Sequence, residues 1–431
     1  MSTTPRNAKL ALLLLFGINM MNFYDRQVVG AIGEKIKVEW HLSDGQLAGL
    51  TTAFIILYAI VGIPLGRLAD VGSRKRVLAL GVTVWSLFTG LSGLAGSFAA
   101  MIVCRLGVGV GEASAAPAAN SLIGDLFSAR QRARAISIFM LGLPVGTGAS
   151  YLISGLVVQA TGGWRSALFV AAAPGFLLGV LALWMAEPAR GSADPTAVNR
   201  DRSAIESIRT VLRIPTMWWI IASGALFNVN MYALSAFHTS FLIRYHGLNI
   251  DIANRFSGVI FGLGGAIGML GGGWLGDRLA TTSTRARLIA ATGAMLVAAP
   301  LQLIALQQPR GAAWAFAATM ITGVIAMYAY YPTVYATIAD IVEPRVRGTA
   351  MSVYFFVFYV FTAVALVFFG RLSDARRTAA SLAGATPADA NAMGLHDALF
   401  VLPIVSVLVA FVLWIGSRTA DRDRARVQAA G

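Results

Sequence analysis

Charged residues are scarce in this sequence, and their scarcity excludes an ordinary soluble domain. Only 13% of the 431 residues are Asp, Glu, Lys or Arg, while 57% are hydrophobic and the mean hydropathy is +0.70. A soluble domain carries about 25% charged residues. Because a membrane-spanning helix needs roughly 20 apolar residues, twelve such helices would use most of this chain.

Cysteine and histidine are nearly absent, which limits the chemistry available. A single cysteine, Cys104, allows no disulfide framework and no cysteine zinc site, and the four histidines show no metal-ligand spacing. The sequence also lacks a Gly-x-Ser-x-Gly elbow and a phosphate-binding P-loop. We therefore expect neither an enzyme nor a bound metal or cofactor.

Basic residues outnumber acidic ones and give a net charge of +14. Most of the 34 lysines and arginines fall in loops on the side that holds the N-terminus, a central linker and the C-terminus. Because loops rich in Lys and Arg stay in the cytoplasm, this bias predicts that both termini are cytoplasmic. The same bias accounts for the net positive charge, so we do not expect nucleic acid as a partner.

Apolar runs predict two groups of six membrane spans. The first group occupies residues 1–187 and the second 216–418, with a linker at 188–215 and a tail at 419–431. Part of the linker, residues 205–209, predicts a short surface helix. The predicted spans are 8–34, 46–69, 76–96, 98–125, 134–160, 165–186, 216–243, 252–277, 285–307, 311–337, 347–371 and 396–416.

The two halves of the chain repeat the same loop motifs. The segment from Gly66 to Asp70, followed by Arg74, returns as the segment from Gly273 to Asp277, which is also followed by arginines. A second stretch, which begins at Asp125, aligns without gaps on one that begins at Asp340. Two parallel repeats in a hydrophobic chain are typical of secondary transporters that work by alternating access.

These motifs resemble the major facilitator superfamily. The resemblance implies an all-α integral membrane fold of twelve transmembrane helices in two pseudo-symmetric six-helix bundles. Val71 departs from the superfamily's loop motif, which has a basic residue after the Asp, and the antiporter pattern of the fifth span is only partly matched around Pro144. The stretches 19–27 and 105–113 are similar to those of spinster-like transporters.

The resemblance carries expectations about activity and surroundings. Spinster-like transporters are associated with proton-linked movement of lysophospholipids and sphingoid lipids. We therefore expect a multi-pass protein of a bacterial inner membrane that functions as a monomer, with protons and a small-molecule substrate as its partners in the bilayer. Three substrate classes stay open, namely lysophospholipid-like amphipaths, hydrophobic drugs and small organic acids, and a membrane receptor is the alternative that transports nothing.

Four charged residues fall inside predicted spans, where charge is costly and usually marks function. They are Asp25 and Arg26 in the first span and Arg105 and Glu112 in the fourth. A carboxylate beside an arginine stays ionised, whereas one that loses its partner in a drier environment takes up a proton. We expect Glu112 to be the first candidate proton carrier and Asp25 the second. A permanent salt-bridge cluster that orients the helices is the alternative.

Two further sets of residues complete the predicted site. Polar and aromatic residues of the first, seventh and tenth spans are expected to line a substrate cavity, since tyrosine combines an apolar ring with a hydroxyl. Charged residues at the repeated loops are expected to latch the cytoplasmic side. The cavity set is Asn19, Asn22, Asn228, Asn230, Tyr232, His238, Tyr328, Tyr331 and Tyr335, and the gate set is Gly66, Asp70, Arg74, Asp125, Arg130, Asp277, Asp340 and Arg345.

Overall fold

Helices form nearly all of the described chain. The chain packs into two units. A computed structural model describes residues 5–190, 204–280, 283–343 and 346–430. The first unit takes in residues 1–199 and 249–258, and the second takes in 200–248 and 259–431. The segment 249–258 contains the start of the predicted span 252–277 of the second bundle, yet it packs within the first unit.

The first unit contains eight consecutive helices that make six spans. Serine caps begin three of them: Ser43, Ser73 and Ser97 each accept a hydrogen bond from a backbone N–H one turn ahead. The helices are α1 (Pro5–Trp40), α2 (Asp44–Val71), α3 (Arg74–Gly93), α4 (Phe98–Glu112), α5 (Ala115–Leu126), α6 (Ala129–Met140), α7 (Gly142–Thr161) and α8 (Arg165–Trp184).

A short helix in the linker precedes six further spans. A π-helical turn, Val259–Leu263, interrupts the second of these spans. The helices are α9 (Ala204–Leu212), α10 (Pro215–Arg244), α11 (Ile250–Gly258), α12 (Gly264–Ala280), α13 (Thr284–Leu306), α14 (Ala313–Tyr328), α15 (Tyr330–Ile341), α16 (Arg347–Leu382), α17 (Pro387–Leu399) and α18 (Val401–Ala430).

Eleven of the spans within the described residues are long and apolar enough to cross a membrane. Helix α1 is not among them, because the polar side chains in its middle lower its hydropathy. At 36 residues, it is nevertheless long enough to cross a bilayer. The chain is therefore an all-α membrane protein with a twelve-span fold.

Helix packing repeats between the units. The contacts α1–α7, α2–α4, α3–α4 and α3–α8 of the first unit correspond to α10–α16, α12–α14, α13–α14 and α13–α18 of the second. The fourth and tenth spans also break at matching points, at Ser114 between α4 and α5 and at Ala329 between α14 and α15. The repeat seen in the loops therefore extends to pseudo-symmetric bundles.

Helix ends depart from the predicted spans in the last third of the chain. Helix α16 continues to Leu382, although the predicted span ends at residue 371, and α17 begins before the predicted twelfth span. Helix α18 also runs through the predicted tail. Hydropathy locates the apolar part of a helix and misses charged helical extensions such as these.

Candidate functional site

The four intramembrane charges lie close together in the first unit. Asp25, Arg26, Arg105 and Glu112 are all buried, with exposures of 0%, 5%, 1% and 0%. The Arg26 Nε donates to Glu112 Oε2 at 2.9 Å, and Asn22 Nδ2 donates to the same oxygen at 2.9 Å. Helices α1 and α4 are thus joined by a buried ion pair that Asn22 supports.

The surroundings of Asp25 differ sharply from those of Glu112. Within the described structure, neither carboxylate oxygen of Asp25 has a hydrogen-bond partner. Arg105 reaches the same residue through its backbone, because its Nη2 donates to the Asp25 carbonyl oxygen at 3.2 Å. The Nε and Nη1 atoms of Arg105 have no hydrogen-bond partner. The site therefore holds one paired acid and one unpaired acid.

Helix α2 supplies an aromatic wall that the sequence reasoning did not identify. The Arg26 guanidinium lies 4.5 Å from the ring centroid of Tyr58 and 5.3 Å from that of Phe54. Arg105 lies 5.7 Å from the Phe54 ring. The negative faces of these rings attract both cations, which partly offsets their removal from water.

Glycines bring the surrounding backbones close to the charged site. A Cβ on Gly111 of α4 would lie 2.5 Å from the Trp85 backbone nitrogen, and one on Gly146 of α7 would lie 2.1 Å from the Met20 carbonyl oxygen. Any larger residue would push α4 away from α3, or α7 away from α1. The close contacts at these two glycines fix the positions of Glu112 and of the polar face of α1.

Asn19 contributes to this packing. Its Nδ2 donates to the Phe139 carbonyl oxygen at 2.8 Å, and Ser150 of α7 donates to the Tyr24 carbonyl oxygen at 2.8 Å. Both bonds hold α1 against α6 and α7. Of the two asparagines of α1 that the sequence assigned to a cavity, only Asn22 bonds to the charged cluster.

The asparagines of the second unit bond to neighbouring helices. Asn228 Nδ2 donates to Thr362 Oγ1 at 2.7 Å. Asn230 Nδ2 donates to Ser406 Oγ at 2.8 Å, and its Oδ1 accepts from Gln302 at 3.1 Å. Ser406 in turn donates to Gln302 at 2.7 Å. Asn230, Ser406 and Gln302 thus close a polar network between α10, α13 and α18, and Gln302 was not foreseen from the sequence.

The predicted tyrosines belong to a larger aromatic cluster. Tyr331 lies 5.8 Å, between ring centroids, from both Tyr328 and Tyr335, and Tyr335 lies 5.9 Å from Tyr354 of α16. Tyr330 is 0% exposed, hydrogen-bonds to Ser223 at 2.9 Å and was not in the predicted set. Tyr232 lies half-buried on α10.

His238 sits apart from this cluster in an aromatic pocket. It is buried, with its ring centroid 5.2 Å from that of Phe261 and 5.4 Å from that of Phe316. Within the described residues, no group of three or more His, Cys, Asp or Glu side chains is placed to hold a metal ion.

Arg74 is the centre of a charged cluster at the linker side of the first unit. It is 1% exposed and forms ion pairs with Asp125 of α5 and with Glu187. Its Nη2 also donates to the Pro188 carbonyl oxygen at 2.6 Å. Although partial burial raises the pKa of Glu187, hydrogen bonds from Ser73 and Arg74 outweigh it and lower that pKa below its ordinary value.

The second unit repeats this ion pair with a different arginine. Arg287 Nη1 lies 2.7 Å from Asp340 Oδ2, which also accepts from Thr284 at 3.3 Å. Neither Arg287 nor Glu187 was in the predicted gate, although Arg287 follows the second copy of the loop motif, because the sequence does not show which arginine pairs with Asp340. Gly66 lies at an α2 contact with Pro117, and Asp277 is exposed. The side chains of Asp70, Arg130 and Arg345 lie outside the described residues.

Comparison with known proteins extends over nearly the whole chain. Residues 15–366 match the model of a family described as Major Facilitator Superfamily. An MFS-type efflux pump of Mycolicibacterium smegmatis is 29% identical over 423 residues, which cover 97% of this chain and 95% of that protein. Protein spinster homolog 1 of Xenopus tropicalis is 29% identical over 371 residues, covering 80% of this chain and 69% of that protein.

Solved structures show the same similarity. A bacterial homolog to the human lysosomal transporter Spinster, in an inward-facing and unoccupied conformation, matches with a TM-score of 0.85 and 27% identity, covering 98% of this chain and 99% of that chain. A D-xylose-proton symporter matches with a TM-score of 0.70 and 16% identity, covering 94% of this chain and 96% of that chain, which is a likeness of fold alone.

Proposed function

The chain belongs to the major facilitator superfamily as a spinster-like transporter, and we propose that it couples proton movement to transport of a small amphipathic organic solute. The observation that carries this proposal is the pair of buried acids in the first unit. Glu112 is bound by an arginine and an asparagine, whereas Asp25 has no donor at either carboxylate oxygen.

The two acids hold different protonation states in this arrangement. An ionised Glu112 is stabilised by Arg26 and Asn22. An ionised Asp25 would be a buried charge without a donor, which is among the costliest situations in a protein interior. Asp25 therefore carries the proton here, and we place it before Glu112 as carrier, the reverse of the order expected from sequence.

Arg105 is the group that would release this proton. Its Nη2 bonds to the Asp25 carbonyl oxygen, and its Nε and Nη1 have no partner. A small rotation that brings this guanidinium to the Asp25 carboxylate would form a charge-assisted pair and stabilise the ionised acid. Proton release would then accompany a change in the α1–α4 contact, which links protonation to conformation.

The substrate we favour is an amphipath with an anionic or phosphate head. Arginine recognises such heads through paired N–H groups, and the aromatic cluster around Tyr331 and Tyr335 suits an apolar body. Tyr232 and Tyr328 belong to the same proposed apolar site of the second unit, and Asn22 belongs to the charged cluster of the first. Asn19, Asn228, Asn230 and His238 act by packing, since each is held by neighbouring helices or aromatic rings.

Efflux of hydrophobic compounds is the second candidate, because the efflux pump from Mycolicibacterium smegmatis aligns with 97% of this chain. In both cases we propose a bacterial inner-membrane location with the linker side in the cytoplasm. The gate residues, extended by Glu187 and Arg287, would stabilise the closed form of that side.

Flux measurements in proteoliposomes test the proposal. Vesicles that contain the purified protein receive fluorescent lysophosphatidylethanolamine with or without an imposed pH gradient. Wild type should move the lipid faster with the gradient, and Asp25→Asn should lose that acceleration because position 25 no longer titrates. Asp374→Asn, an acid outside the site, is the matched control.

Two results would count against proton coupling. One is equal flux with and without the gradient in wild type, and the other is full gradient dependence in Asp25→Asn. Gradient-driven movement of a hydrophobic dye, but not of the lysolipid, would instead favour the efflux function.

A further inference from the structure

The short helix in the linker presents an apolar face that the described part of the protein leaves exposed. Helix α9 packs against α16 and α10 and buries Val211 completely. Ile208 lies one turn before Val211 and Ile205 one turn before Ile208, so the three share one side of the helix, yet Ile205 and Ile208 are 73% and 39% exposed. An interior-facing helix would hide these residues, so this face is suited to an apolar surrounding outside the protein.

A tryptophan continues the same surface onto the next helix. Trp218, in the first turn of α10, is 54% exposed and donates from its Nε1 to the Leu212 carbonyl oxygen at 2.8 Å. Tryptophan with a satisfied N–H and an exposed ring is the residue that membrane interfaces favour. The hydrogen bond also joins the end of α9 to the first turn of α10.

Arginines border this apolar face. Arg209 and Arg213 lie at the end of α9 and are both exposed. Arg213 and Arg426 of α18 line one pocket of about 130 Å³, together with the acids Glu343 and Asp423. The end of α9 and the last turns of α18 are therefore neighbours in the second unit.

The C-terminal part of α18 from residue 419 onward, here called the α18 extension, carries both acids and arginines. Asp423 is buried and accepts from the Thr216 backbone N–H at 3.0 Å, and Asp421 accepts from the Arg285 backbone N–H at 3.0 Å. The side chains of Arg422 and Arg426 remain 57% and 63% exposed. Asp423 therefore points inward, whereas Arg422 and Arg426 lie at the surface of α18 and add positive charge beside the end of α9.

From this combination we infer that α9 and the adjoining arginines form a binding surface for anionic lipid. The isoleucines and Trp218 insert at the boundary between head groups and acyl chains, and Arg209, Arg213 and Arg426 contact lipid phosphates. An apolar helix face with flanking basic residues binds an anionic bilayer through both contributions. The linker is thereby held on the membrane through the second unit.

Site-directed spin labelling tests this surface, and the chain's single cysteine makes it practical. In a Cys104→Ser background, nitroxides are attached at Ile205→Cys and, as the matched control on the exposed polar side of α9, at Glu206→Cys. The full-length protein is reconstituted in phosphatidylcholine vesicles with and without phosphatidylglycerol. Collision rates with oxygen, which enriches in lipid, and with a water-soluble nickel complex are compared.

The ratio of oxygen to nickel collisions should be several-fold higher at position 205 than at position 206 in vesicles that contain phosphatidylglycerol. It should fall at position 205 when phosphatidylglycerol is omitted, or when Arg209→Gln and Arg213→Gln are introduced together. Nickel-dominated collisions at both positions would overturn the inference. The inference would also be overturned if the ratio at position 205 stayed the same without phosphatidylglycerol and in the variant with both arginines replaced.

Discussion

At the scale of single residues, Asp25 and Glu112 show how position alone gives two identical functional groups different properties. Both are 0% exposed. Glu112 ends α4, where the helix dipole disfavours a negative charge, and the Arg26 guanidinium offsets that effect. Asp25 lies in the middle of α1 and has no donor at its carboxylate. The residue types were visible in the sequence, but the orientation of each arginine was not.

This difference predicts opposite effects on stability. Glu112→Gln leaves the buried Arg26 cation without a counter-charge and should cost about 3 kcal/mol, typical of a broken buried ion pair. Asp25→Asn keeps the shape of a carboxyl that is already without donors, so it should leave stability unchanged or raise it. Thermal unfolding of both variants in detergent measures the two effects. A larger loss for Asp25→Asn would contradict the assigned partners.

His246, in the loop after α10, should make local stability depend on pH. Burial, and then the nearby His396, lower the pKa of His246 from 6.5 to about 4. It packs against Phe241, Tyr245 and Phe316. In an opened loop the imidazole binds a proton near pH 6.5, but in the folded loop only near pH 4. Falling pH therefore favours opening across this range, and the effect levels off below it.

Hydrogen exchange of the amides at 245–249 measures this opening, after correction for the intrinsic pH dependence. Protection should fall between pH 6.5 and 4 in wild type. His246→Asn should remove the dependence, and His41→Asn, at an exposed histidine, should keep it. Protection that is constant over this range in wild type would show that the folded loop accepts the proton freely.

At the scale of helices, the apolar runs predicted the spans well, and the polar extensions were missed. Hydropathy detects the part of a helix that lies in lipid, so it stopped short in α16 and did not anticipate that α18 continues to Ala430. The α9 helix was expected within residues 205–209, and it spans Ala204–Leu212. Its membrane-facing side emerged only when burial showed which residues its neighbours cover.

The α18 extension should stabilise the second unit by capping helix starts. Helix α10 begins at Pro215, and the capping residue before it, Ile214, supplies no side-chain cap. Asp423 accepts from the Thr216 backbone N–H and hydroxyl instead. Helix α13 has its own cap in Ser283 besides Asp421. Asp423→Ala should therefore cost about 1–2 kcal/mol, and Asp421→Ala distinctly less. Equal melting temperatures for the two variants would argue against this capping role.

At the scale of the whole molecule, the repeat explains the scaffold and the departures from the repeat indicate function. The Arg74–Asp125 pair recurs as Arg287–Asp340, and the fourth and tenth spans break at matching positions. The charged cluster of the first unit has no counterpart among the described residues of the second, where an aromatic cluster lies instead. Sequence repeats could predict that the two units share a scaffold. They could not predict the side-chain partners, because these depend on how the helices pack.

In this arrangement Asp25, and not Glu112, holds a proton. Infrared spectroscopy of the purified protein at neutral pH tests it directly, since a protonated carboxylic acid absorbs apart from a carboxylate. If Asp25 is the protonated acid, we expect a buried acid band that disappears in Asp25→Asn and persists in Glu112→Gln. A band that persists in Asp25→Asn and disappears in Glu112→Gln would contradict it.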